Sequence, residues 1–131
     1  MTLTKAQSDI SRRRDVFSAD LVQGARADRI RQLNDRLRCQ GDGGRVMITA
    51  GVAALPAAVQ ASIFAAIRSF AAFDGANDPF DEHDFGVVRT DATCACWKID
   101  YYDRTLTAYS PDPAIPAVTI RVLTIMLGAE F

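Results

Sequence analysis

The stretch "TCACWKIDYY", residues 93–102, alternates so regularly that it dictates much of what the chain can become. On an extended strand Ala95, Trp97, Ile99 and Tyr101 share one face, while Lys98, Asp100 and Tyr102 share the other. A strand with one apolar and one polar face needs neighbouring strands beside it and a cover over its apolar side. "FGVVRT" (85–90) supplies one neighbour through a tight reversal at Asp91 and Ala92. "TLTAY" (105–109) supplies another across Asp103 and Arg104, so the three read as an antiparallel meander. "RVMIT" (45–49) adds a short β-branched strand.

The cover is helical. From Ala25 onward Ile30, Leu33 and Leu37 recur at helical spacing, with Arg29, Arg31, Arg36 and Arg38 largely off that stripe. The helix closes at "GDGG" (41–44), where glycine can turn left-handed. "AALPAAVQASIFAAIRSFAAF" (53–73) carries Val59, Ile63, Ile67 and Phe70 on one face, with Pro56 suited to its first turn. Being apolar nearly all round, it is expected to be the best-buried element and to lie across the sheet. The segment 117–129 has β-branched residues that also suit a strand. The stripe Val118, Val122, Ile125 and Met126, preceded by the helix-start signals Ser110, Asp112 and proline, favours a helix. The expected fold is therefore α+β: a two-layer domain with an antiparallel three- to four-stranded sheet packed against helices, in the order α-β-α-β-β-β-α.

With 131 residues, 49% of them apolar, the chain suffices for one domain. We read that domain over 25–131, behind a polar N-terminal arm at 1–24 whose "SRRRD" is a weak nucleic-acid signal because it lacks a glycine or aromatic framework. The formal charge of -1 excludes a global field drawing the protein onto nucleic acid or an anionic membrane. Its distribution is uneven: ten basic residues face six acids from Met1 to Arg45, and nine acids face three basic residues from Asp74 to Asp112. That polarity predicts an acidic patch built from the middle of the chain. No apolar run approaches the ~18 to 20 residues that cross a bilayer, and no apolar signal core opens the sequence, so a cytoplasmic location is expected. Cys39, Cys94 and Cys96 are too few and too closely spaced for a zinc site or a disulfide framework, and read as reduced, structural thiols.

The residues that offer chemistry cluster in "NDPFDEHDFG" (77–86), which holds the only histidine. One reading is a metal-dependent hydrolase centred on His83, Glu82 and Asp84, in which these residues and Asp78, with Asp100 from the neighbouring strand, ligate a divalent ion or in which His83 acts as a general base. No diagnostic metal spacing, phosphate loop or nucleophile motif supports it. The bland reading is an architectural loop: Asn77 or Asp78 turns the chain ahead of Pro79, and Phe80 and Phe85 anchor its ends. A third reading is a binding surface. Asp78, Asp81, Glu82 and Asp84 in the loop would join Lys98, Asp100, Tyr102 and Arg104 on the sheet's polar face, where acids and aromatics suit a protein partner with a basic groove, including one that normally holds nucleic acid. That reading requires no cofactor and no catalytic group, and it ranks above the hydrolase; the oligomeric state stays open, a homodimer included.

"NDPFDEHDFG", "WKIDYYDR", "SPDPAIPAVT" and "RVLTIMLGAEF", in this order and behind "LND" (33–35) and "ITAGVAALP" (48–56), resemble domain of unknown function 3768 from about Ala25 to the C-terminus. Asp81 stands where a small residue is usual, and Gly128 with Phe131 replaces a more acidic tail ending in tyrosine; Glu82, His83 and Asp84 are kept. The resemblance supplies no catalytic residues. It implies a bacterial protein found near plasmid and other mobile-element genes, and hence an accessory role in gene transfer or an inhibitor of a host defence, for example one resembling an anti-CRISPR protein.

Overall fold

The computed structural model describes residues 5–131, with side chains from Leu21 onward. Helix α1 (Lys5–Gln40) is followed by strand β1 (Arg45–Ile48), the single-turn α2 (Ala50–Ala53), helix α3 (Ala57–Arg68), strands β2 (Phe85–Thr90) and β3 (Thr93–Tyr102), and strand β4 (Ile120–Leu127). The strands form one four-stranded sheet in the order β1-β4-β3-β2. The fold is α+β, as the alternation and the helical stripes require. The arm read over 1–24 falls mostly on residues whose side chains lie outside the described ones.

β2 and β3 form the expected hairpin, with Val88 opposite Ala95 and Gly86 opposite Trp97; Asp91 turns the chain in the left-handed region at φ 51°. Ala95, Trp97, Ile99 and Tyr101 are buried on the helix side, where Leu123 and Ile125 of β4 and Ile30, Leu37, Val52, Ile63 and Ile67 of the helices complete the core. Two hydrogen-bonded neighbours and a helical layer thus meet on β3, the strand with the most regular alternation.

Three expectations are corrected. The segment read as a C-terminal helix is β4, pairing antiparallel with β3 and parallel with β1. Its apolar residues occupy both faces, Leu123 and Ile125 toward the helices, Val122 and Met126 away, which is the pattern of a central strand buried on two sides. The helix-start signal before it is spent on a single 3₁₀ turn at Pro116–Val118. The sheet is consequently mixed. "TLTAY" forms no third meander strand: the Asp103 carboxylate accepts from the Thr107 and Ala108 amides and from the Thr105 hydroxyl, winding 103–108 into a turn, and only Tyr109 bridges back, to Tyr102. Lastly, α3 buries Ile63 and Ile67 but exposes most of its alanines, so β3 and β4, not this helix, are the best-buried elements. Among the described residues no helix is long and apolar enough to cross a membrane.

β1 enters the sheet through Gly44, which passes close under β4. A Cβ there would sit 2.5 Å from the Arg121 carbonyl oxygen and 2.9 Å from a Leu37 methyl. Gly44→Ala is expected to cost about 1–3 kcal/mol in chemical denaturation, because the backbone atom it meets has nowhere to go. Gly24→Ala, with nothing within 4 Å of the added carbon, is the control and shows no loss.

Candidate functional site

The loop 77–86 is shaped first by its own acid. The Asp78 side chain is only 3% exposed. Its Oδ1 accepts from the Glu82 and His83 amides, each at 3.0 Å, which folds the chain back on itself. Asp81 and His83 take positive φ values of 57° and 54°. Such conformations cost about 1–3 kcal/mol each outside glycine and persist only where the surroundings over-determine them.

The surroundings here are one flank of α1. Arg31 donates to the Asp81 carboxylate (2.8 Å) and carbonyl (3.0 Å), Asn34 Nδ2 donates to the Glu82 carbonyl (3.0 Å), and Asp35 Oδ1 meets His83 Nδ1 (2.8 Å). Residues 31, 34, 35 and 38 recur at i, i+3, i+4 and i+7, so they form one polar stripe beside the apolar one. His83 lies flat on Phe73, ring centroids 3.7 Å apart. Arg38, buried, stacks over Phe73 and Trp97 and closes the C-terminal end of α3 by donating to the Ile67 and Phe70 carbonyls.

Below the loop lies a buried polar hub. Asn34 Nδ2 donates to the Tyr101 hydroxyl (2.7 Å), the hydroxyl donates to Glu82 Oε2 (2.9 Å), and Asn34 Oδ1 accepts from Arg121 Nε (2.6 Å). Arg121, 2% exposed, also donates to the Pro113 carbonyl and stacks on Tyr101. Burial raises the Tyr101 phenol far above its ordinary range, and the neighbouring Glu82 charge adds to this while Asn34 opposes it. The hydroxyl therefore stays a donor.

The predicted site residues are sorted into two groups. Asp78, Asp81 and His83 form one, their donor atoms all within 4.8 Å of one another. Asp78 Oδ1 is already bonded to the Glu82 and His83 amides, His83 Nδ1 to Asp35, and Asp81 is paired with Arg31. Glu82, Asp84, Asp100 and Tyr102 form the other: with Phe80 and Tyr109 they line an open groove of about 610 Å³. His83 is not joined to Glu82, Asp84 and Asp100. Lys98 pairs with Asp100 at 3.0 Å, and Arg104 is exposed in the 103–108 turn. Phe80, expected to anchor the loop, is 73% exposed beside the groove; Phe73 does the anchoring, and Phe85 packs against Phe131. The sequence reading also missed Asn34, Asp35, Arg38, Tyr109 and Arg121. The polar stripe of α1 and, for Asn34 and Asp35, the segment "LND" offered the signal for the first three.

The groove lies on the edge of β3 where its partners diverge. Ile99 donates to the Asp84 carbonyl (2.8 Å) and Tyr101 accepts from the Ser110 amide (3.0 Å), so the Ile99 carbonyl and Tyr101 amide between them face the groove. Burial raises the pKa of Asp84, and the charges of Glu82, Asp78 and Asp100 raise it further.

The model of a family described as Protein of unknown function (DUF3768) matches residues 48–130. The chain belongs to that family. The match spans the loop, the groove and β1 through β4 except for the first residues of β1, so both side-chain groups of the DUF3768 protein lie within it apart from the α1 stripe. No curated protein and no solved structure matches the chain.

Two outcomes test this geometry. An Asp84 whose folded pKa exceeds its unfolded one loses stability as pH rises through the interval between the two. Asp84→Asn is therefore expected to melt higher than the parent near neutral pH, with the gap closing as pH falls below the ordinary carboxylate value of 3.8. Tyr101→Phe, which removes the hydroxyl between Asn34 and Glu82, is expected to cost about 1–2 kcal/mol in denaturant unfolding.

Proposed function

We propose that this DUF3768 protein is a non-enzymatic accessory protein of the cytoplasm that engages a macromolecular partner through the groove of Glu82, Asp84, Asp100, Phe80, Tyr102 and Tyr109. The observation that carries this reading is the pairing of carboxylates with exposed aromatic rings in one open groove, Phe80 at 73% and Tyr109 at 69% exposure. Carboxylates attract a guanidinium or ammonium, aromatic faces add about 0.5–1 kcal/mol for each exposed cation–π contact, and rigid aromatic side chains are the usual anchors of protein interfaces. The Ile99 carbonyl and Tyr101 amide at the groove suit an extended backbone beside the basic side chain. The partner is thus a protein presenting an arginine or lysine in an extended segment. A basic surface that otherwise holds nucleic acid has this chemistry, which is the link to an inhibitor, carried on a bacterial mobile element, of a host defence or DNA-processing complex.

A metal-dependent hydrolase is the second reading; its expected centre of Glu82, His83 and Asp84 is divided between two groups, and the donor atoms that lie together around His83 are those of Asp78 and Asp81. Ion binding there competes with bonds already made to Arg31, Asp35 and two amides. Calorimetry with Mg²⁺, Mn²⁺ and Zn²⁺ separates the two: a tight site abolished by His83→Ala replaces the binding reading with the hydrolase.

An extended arginine-containing peptide titrated into the labelled protein is expected to shift the amides of Glu82, Asp84, Asp100 and Tyr109. Asp100→Lys and Tyr109→Ala should each weaken it about tenfold, and added salt should weaken it further. A peptide that binds elsewhere, or whose affinity ignores both substitutions, overturns the reading.

A further inference from the structure

Among the described residues β1 is an edge strand, paired on one side only, by β4. It is also the most apolar surface of the sheet left open: Val46, Met47 and Ile48 are 49%, 56% and 41% exposed. Natural edge strands are protected by charge, proline or a covering element, since their unpaired amides and carbonyls template another strand. β1 has a single charge, Arg45, and an apolar groove of about 270 Å³ beside it, lined by Leu37, Phe64, Ile67, Val46 and Ile48.

The backbone fixes which groups are open. The Thr49 amide donates to the Ile125 carbonyl, so residues 45, 47 and 49 turn their peptide groups toward β4. Val46 and Ile48 turn theirs outward. Two copies related by a two-fold axis through Met47 would then place Val46 of each opposite Ile48 of the other as a hydrogen-bonded pair, and Met47 opposite itself as a non-bonded pair. The side chains of Val46 and Ile48 lie on the helix side, where they would extend the core across both copies beside the apolar groove; Arg45, Met47 and Thr49 lie on the other side.

The same register brings opposite charges together. Arg45 of one copy comes opposite Thr49 of the other, and the Thr49 hydroxyl donates to Glu130 Oε1 at 2.8 Å. Glu130 is held ready by a second bond, from the Leu127 amide at 2.8 Å, and these hydrogen bonds lower its pKa, so it stays ionised. Arg45 has no ion-pair partner among the described residues of its own chain. We propose that the occupant of the β1 edge is a second copy of this chain, joined antiparallel through Val46 and Ile48 into one continuous eight-stranded sheet, with Arg45 of each copy paired to Glu130 of the other.

Sedimentation of the whole chain tests this. The mass is expected to rise with concentration from 14.3 kDa to twice that value. Ile48→Pro removes an outward amide and leaves the bonds to β4 in place, so it should raise the dissociation constant at least about tenfold. Val46→Lys, which charges the joint without touching the backbone, should do the same if the proline variant proves poorly folded. Arg45→Glu and Glu130→Arg should each weaken the dimer, and the double variant should restore it. A chain that stays monomeric at all concentrations, whether its edge is bare or occupied by a segment of its own, overturns the proposal. So does a dimer indifferent to Ile48→Pro and Val46→Lys, or reversed charges that fail to compensate.

Discussion

Asn34 is the residue on which the site depends. Its side-chain amide is fully buried, and its two ends serve three elements: Nδ2 donates to the Glu82 carbonyl and the Tyr101 hydroxyl, and Oδ1 accepts from Arg121. One short side chain therefore ties α1 to β3, to β4 and to the acidic loop. A buried polar network with every member satisfied specifies a unique arrangement, because any shift leaves a donor unpaired at about 1–3 kcal/mol. Apolar packing of Ile30 and Leu37 turns one face of α1 to the sheet; the hub and the Arg31–Asp81 and Asp35–His83 contacts join its polar flank to the loop and hold that rotation.

That fixed rotation divides the loop's acids by role. Asp78 turns inward and holds amides, Asp81 answers Arg31, and His83 is pinned between Asp35 and the Phe73 ring. Glu82 and Asp84 are left to the groove, with Asp100 across from them. The polarity visible in the sequence, basic toward the N-terminus and acidic in the middle, is thus partly neutralised within the fold, through Arg31 with Asp81 and Arg26 with Asp112. What faces a partner is a smaller and more local negative charge than the composition suggests, framed by Phe80, Tyr102 and Tyr109.

Local patterns were legible and long-range ones were not. The alternation of 93–102 identified β3, its buried face and its hairpin with β2, because a period of two reports one-sided burial directly. The C-terminal run misled for the same physical reason: a strand buried on both faces shows no alternation, and Val122, Ile125 and Met126 fall by chance on a helical stripe. "TLTAY" has strand propensity, yet Asp103 captured its amides locally. The loop was found as a concentration of acids, but its wiring was invisible, since Asn34 and Arg121 lie 48 residues before Glu82 and 87 residues after Asn34 respectively. No spacing rule connects positions so far apart. The outward turn of Phe80 follows from the left-handed Asp81 next to it, which only the α1 clamp explains.

The central claim is that the Asn34 hub, added to the turn that Asp78 makes within the loop, is needed to hold the acidic loop in shape. Amide hydrogen exchange in Asn34→Ala tests it most directly. The account predicts that the Glu82 and His83 amides exchange at least about tenfold faster than in the parent, by more than the amide of Trp97 in the core. Exchange at Glu82 and His83 that is unchanged, or that rises only in step with Trp97, would contradict it.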